Sequence, residues 1–142
     1  MKRPVILNIL LLFVTISLSA HPWKPRHYVI IDTDGGLDDQ KAICMLLASP
    51  DVRVMAVTVS AGFNSEKVAY ANIRSLLDGL RHEGLPVASG KEAAGLIEKC
   101  LSEEAVPVTF ISLGSLKTAA TAMDESPSFT KKVKLIMWSN DG

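Results

Sequence analysis

Five short apolar runs constrain this chain more than any other feature: residues 28–31 (YVII), 52–60 (VRVMAVTVS), 86–90 (PVASG), 106–113 (VPVTFISL) and 133–139 (VKLIMWS). Between them lie segments with helical character, at residues 37–49, 64–80, 93–101 and 115–123. A strand that returns to its own sheet through a helix is a parallel strand joined by a right-handed crossover. The expected fold class is therefore α/β, with a doubly wound, mostly parallel sheet and helices on both faces. Residues 28–31 are continuously apolar and β-branched, which suits a strand covered on both sides. The first helix carries Ala42, Ile43, Leu46 and Leu47 on one stripe, has Asp38 and Asp39 in its first turn, and stops at Pro50.

Residues 1–20 stand apart from this pattern. Lys2 and Arg3 precede the apolar run VILNILLLFVTISL, which gives way to Ser19 and Ala20. That order is expected of a secretory signal peptide cleaved at Ala20, because the run is short for a membrane span and ends in small residues. The expected location is secreted or periplasmic, with no membrane span after cleavage. The formal charge of the whole chain is zero, so no basic footprint for nucleic acid exists. At 48% hydrophobic residues, the remainder can bury an ordinary single-domain core. Two cysteines, Cys44 and Cys100, both in apolar helical patterns, do not make a disulfide scaffold; a single bridge stays open, and packed thiols are the expected state. The last strand ends abruptly in Asn140-Asp141-Gly142, which reads as a cut inside a larger domain, leaving residues 21–142 as its N-terminal portion and an open sheet edge through which copies can associate.

Where the first strand gives way to the first helix, the sequence DTDGGLDD gathers Asp32, Asp34, Asp38 and Asp39 around Gly35-Gly36. Ligands of open α/β sheets bind at this carboxyl edge, and the paired glycines allow a tight turn. Four unpartnered carboxylates repel one another. A hard divalent cation relieves that repulsion, and aspartate oxygens suit calcium or magnesium better than zinc. The competing account gives Asp38 and Asp39 to the helix end and Asp32 to an Asx turn, which covers fewer than four of the carboxylates.

Other motifs share these letters. An EF-hand loop counted from Asp32 needs Gly and Glu where Leu37 and Ile43 stand. A haloacid-dehalogenase-type phosphotransferase would use Asp32 as nucleophile and Asp34 as acid and base, but its pattern has Thr or Val at Gly36. A phosphate-binding GxGxxG is absent.

The order DTDGGLDD, VMAVTVSAG, EKVAYANI, PVASG, LGSLKTAA and VKLIMWS resembles the inosine-uridine-preferring nucleoside hydrolase family, over the N-terminal half of its domain. The resemblance implies calcium-dependent hydrolysis of the N-glycosidic bond of a small-molecule ribonucleoside, as in purine and pyrimidine nucleoside catabolism. It implies that Asp34 binds calcium and acts as general base, that Asp39 is the second carboxylate ligand, and that the backbone carbonyl of Lys117 is another. It gives Asp38 a ribose hydroxyl and Asp32 a supporting role in the loop. Asn64 is the candidate for a further ribose contact, displaced by one position because Phe63 stands where the family has Asn. Gly35 replaces the family's Pro, Lys117 its Thr, and Trp138-Ser139 its Gly-Gly. The alternative of another class is a non-catalytic remnant or ligand-binding module of the same fold.

Other residues have plainer readings. Ser115 is placed to cap a helix, Met45, Met55 and Met137 to pack in the core, and Trp138 to pack or to stack on a base. Asn72 matches a family Asn but needs no more than an inter-element hydrogen bond, and His82 falls in an exposed helix-end turn.

Overall fold

The computed structural model describes residues 24–139, so the signal-peptide reading of residues 1–20 and the reading of Asn140-Asp141-Gly142 as a cut fall on residues outside those described. The described chain runs β1 (His27–Thr33), α1 (Leu37–Ala48), β2 (Val52–Val59), α2 (Glu66–Gly79), β3 (Val87–Ser89), α3 (Lys91–Glu103), β4 (Val108–Ser112), α4 (Lys117–Glu125), α5 (Phe129–Lys132) and β5 (Val133–Trp138). All the expected elements are present. The addition is α5, a single turn too short to show periodicity in sequence.

The strands form one parallel sheet in the order β3-β2-β1-β4-β5. The chain winds outward from β1 in one direction through β2 and β3, and in the other through β4 and β5. The reversal point lies between β1 and β4, where open α/β sheets form a crevice at their carboxyl ends.

Alternation along β1 divides the core in two. Val29 and Ile31 face a cluster with Ile43 of α1 and Ala69, Ile73 and Leu77 of α2. Ile30 faces the other, with Ile97 and Leu101 of α3, Ala119 and Ala122 of α4, and Phe129 of α5. Phe110 of β4 meets Phe129 edge to face at 5.4 Å between ring centroids. Both faces of β1 are thus covered by helices, and each of its fully buried isoleucines is worth about 1.5–3 kcal/mol of apolar transfer.

Four side-chain expectations are corrected. Met45 and Met137 are exposed, and only Met55 of the three methionines packs against the core, because the apolar pattern of the sequence does not say which elements are covered. Ser115 is exposed and does not cap α4, whose N-cap position is Leu116. Trp138 is neither buried nor free: it is exposed, and its indole Nε1 donates to the Gly114 carbonyl at 2.8 Å. Cys44 and Cys100 are free thiols, half-buried rather than fully packed. Among the described residues no helix is long and apolar enough to cross a membrane.

Candidate functional site

The turn between β1 and α1 is built from its own polar groups. Gly35 takes φ +74°, and a Cβ there would lie 2.8 Å from the Ala69 Cα, so both conformation and space require glycine. The Gly35 N–H donates to Thr33 Oγ1 at 2.9 Å, and that hydroxyl donates to Asp39 Oδ2 at 2.6 Å. Asp39 Oδ2 also accepts the Asp34 N–H at 3.2 Å. Thr33, which sequence reasoning passed over, therefore couples the turn to Asp39. Its place inside the DTD triplet was the available signal.

Asp34 is held from two sides. Its Oδ1 accepts the Gly36 N–H at 3.3 Å, and its Oδ2 accepts the Phe63 N–H at 2.9 Å. A Cβ on Gly62 would overlap the Asp34 carboxylate, so this glycine is what allows the loop after β2 to approach. Gly114, after β4, lies on the third side, with a Cβ position 3.4 Å from Asp34 Oδ2. Asp34, Asp38 and Asp39 share a hollow of about 290 Å³ with Ala42, Phe63, Leu113, Gly114 and Ser139. It lies across the carboxyl ends of β1 and β4, at the reversal of the strand order. Asp38 is exposed there, while Asp39 is buried.

Asp32 points sideways rather than into the turn. It pairs in register with Thr58 of β2 and Ser112 of β4. Its Oδ1 accepts from Thr58 Oγ1 at 2.7 Å and its Oδ2 from Ser60 Oγ at 3.1 Å. The carboxyl is fully buried, and burial raises its pKa to about 6 against the pull of the Thr58, Thr118 and Ser60 hydroxyls, with the Asp34 charge adding to the rise. Asp39 is also raised to about 6, by burial first, with Thr33 lowering it and the charge of Asp34 raising it again. Neither Asp38 nor Asp39 makes a side-chain cap on α1, whose N-cap position is Gly36. The plainer helix-end reading of these two carboxylates therefore has no capping bond behind it.

Two sequence candidates stand elsewhere. Asn64 directs its side-chain amide to the Asp34 and Gly35 carbonyls, at 3.3 and 2.9 Å, and is not part of the lining of the hollow. Lys117 is the first residue of α4 and lines a neighbouring cleft of about 530 Å³ with Ser60, Glu66, Lys91, Thr118 and Glu125. A larger depression, about 840 Å³, lies at the opposite edge of the sheet around Arg53, Arg81, His82 and Lys99, away from the aspartates.

The donor set around the hollow fits a hard cation in kind. Asp34 and Asp39 are close enough for the charge of one to raise the other, a repulsion that a cation would remove. They provide two carboxylates of the six to eight oxygens that calcium takes. Among the described residues no three His, Cys, Asp or Glu side chains are grouped to hold a metal by themselves.

Parallel α/β topology with an acidic hollow at the strand reversal defines an α/β protein that gathers carboxylates at the edge where open sheets of this kind bind ligands. Residues 29–139 match the family model for the inosine-uridine preferring nucleoside hydrolases, and the chain belongs to that family. The pyrimidine-specific ribonucleoside hydrolase RihA of Salmonella paratyphi B is 28% identical, over 77% of this chain and 46% of its own length. Among solved structures, the plant nucleoside hydrolase PpNRh1 superimposes with a TM-score of 0.73 at 28% identity, covering 80% of this chain and 48% of that one. An inosine-guanosine nucleoside hydrolase gives 0.73 at 26% identity, with 81% and 49% covered. The chain thus spans about half the length of the relatives it matches.

Proposed function

We propose that this protein is an exported, calcium-dependent ribonucleoside hydrolase that cleaves the N-glycosidic bond of a small nucleoside. One observation carries the reading: in a member of the nucleoside hydrolase family, Asp34, Asp38 and Asp39 converge on one hollow at the strand reversal of a parallel sheet.

Asp34 and Asp39 would hold the cation, and calcium when bound supplies a positioned and acidified water. Asp34, with its carboxylate fixed by two backbone N–H groups, is placed to accept the proton of the attacking water. Asp38 is exposed in the same hollow, where its carboxylate can accept hydrogen bonds from sugar hydroxyls. The water oxygen bonds to the anomeric carbon as the carbon–nitrogen bond breaks, the electron pair of that bond leaves with the base, which takes a proton from solvent, and Asp34 returns to solvent the proton it accepted. Negative carboxylates beneath the sugar favour the oxocarbenium-like charge that develops. Asp32 takes no part in these transfers and locks β1 to β2 beneath the site.

A second reading, a ligand-binding module of the same fold that does not turn over, is favoured by the sparse donor set: among the described residues no three His, Cys, Asp or Glu side chains are grouped to hold a metal. Incubation of the purified chain with uridine and with inosine separates the two. The hydrolase releases free base and ribose, stops on calcium chelation and loses activity in Asp34→Asn. Calcium binding with no ribose released would favour the binding module, and a phosphorylated Asp32 would contradict both.

A further inference from the structure

All six backbone polar groups of residues 34–36 have partners within the protein. The Asp34 N–H donates to Asp39, the Gly35 N–H to Thr33 and the Gly36 N–H to Asp34. The Gly36 carbonyl accepts the Gln40 N–H at 3.0 Å, the first bond of α1. The two remaining carbonyls, of Asp34 and Gly35, point out of that local network, and both accept from the side-chain amide of Asn64. Gln40 Nε2 adds a donor to the Gly35 carbonyl at 3.2 Å, whereas among the described residues Asn64 is the side chain that reaches the Asp34 carbonyl. Asn64 is anchored in turn: its own carbonyl accepts the Gly62 N–H at 3.1 Å.

The loop after β2 therefore grips Asp34 at two points. The Phe63 N–H holds the carboxylate, and Asn64 holds the peptide that carries it. We infer that Asn64 is a positioning residue for Asp34 and not a hydrogen-bond donor to the sugar. The Phe63 side chain, whose N–H holds Asp34, is 84% exposed on the rim of the hollow. A side-chain amide with both donors engaged on main-chain carbonyls has no N–H left to give a sugar oxygen and keeps only its Oδ1 as an acceptor. Removing it leaves the Asp34 carbonyl without its partner and frees the turn to rotate Asp34 away from Asp39. The inference rests on the cation reading of Asp34 and Asp39 for its functional consequence, but the positioning itself does not depend on a bound ion.

Four full-length chains test it: wild type, Asn64→Leu, which keeps the bulk without the donors, Asn64→Gln, which restores an amide, and Gln40→Leu. Amide hydrogen exchange in the absence of metal reads the grip directly, at the Gly36 and Phe63 N–H groups that hold Asp34. Asn64→Leu is expected to speed exchange there about tenfold, the loss of roughly one hydrogen bond, with Ile30 and Phe110 in the core unaffected. Gln40→Leu is expected to change it less than about twofold, and Asn64→Gln to recover part of the loss. Titration with calcium alone should show the same ranking, with about a tenfold weaker dissociation constant for Asn64→Leu. Unchanged exchange at Gly36 and Phe63 in Asn64→Leu would overturn the inference. If the wild-type chain took up no calcium, the cation reading would fail by itself, and the exchange result would still decide the role of Asn64.

Discussion

β1 and β5 are nearly the same kind of sequence and have opposite fates. HYVIIDT and VKLIMW are both short apolar runs in the same parallel sheet, and each pairs with β4. In β1 every residue from Val29 to Thr33 is buried, whereas in β5 every residue after Val133 is exposed. The difference comes from neighbours. β1 has strands on both edges and a helical layer on each face, while among the described residues β5 has β4 on one edge and no helix covering Leu135 to Trp138. The aspartates follow the covered strand. Asp32, Asp34 and Asp39 are each hydrogen-bonded by groups from β1, β2 and their loops, whereas among the described residues the edge-strand side contributes to the hollow through Ser139, just past the end of β5. A polar cluster can be specified this closely only where the surrounding packing leaves it one arrangement.

The largest test of this contrast is a pair of equivalent truncations. Ile30→Ala removes a fully buried side chain and is expected to cost about 2–5 kcal/mol in chemical denaturation, enough to threaten folding. Next in size are two glycines. Gly62→Ala puts a methyl group onto the Asp34 carboxylate and should weaken calcium binding about a hundredfold, roughly 2.7 kcal/mol, whereas Gly84→Ala meets nothing within 4 Å and should leave it unchanged.

The buried carboxyl of Asp32 gives a pH test of intermediate size. Its pKa is raised from 3.8 to about 6 on folding, so the native state holds the proton more tightly than the unfolded chain. The stability that proton adds is complete below the unfolded value and is lost as pH rises through about 6. Between pH 7 and pH 5 the metal-free wild type should therefore gain about 1–1.5 kcal/mol relative to Asp32→Asn, measured by denaturation at each pH. Calcium binding should run the opposite way and weaken below pH 6, because Asp39 must lose its proton to serve as a ligand. The smallest effect belongs to the edge strand: Ile136→Ala should change stability by less than about 0.5 kcal/mol, and a cost near that of Ile30→Ala would show that β5 is covered in solution.

The same contrast explains what could be read from the sequence. Strand and helix placement follows from local patterns that the chain carries along its length, so β1 to β5 and the four longer helices were legible, as was the acidic turn with its glycine pair. Exposure of β5 was not, because an apolar run records what a strand is suited to and not what stands beside it. Asn64 and Lys117 were legible as chemistry but not as placements, since each depends on how a loop or helix start is seated against β1. The sideways use of Asp32 follows from its register with Thr58, a relation between strands 26 residues apart that no local motif displays.

The central claim is that the acidic turn at the strand reversal is a cation site formed by Asp34 and Asp39. Calorimetric titration of calcium into the metal-free chain, beside Asp39→Asn, tests it most directly. The account predicts one ion per chain at neutral pH and loss of the binding heat in the variant. Equal heats in both chains, or none in the wild type, would contradict it.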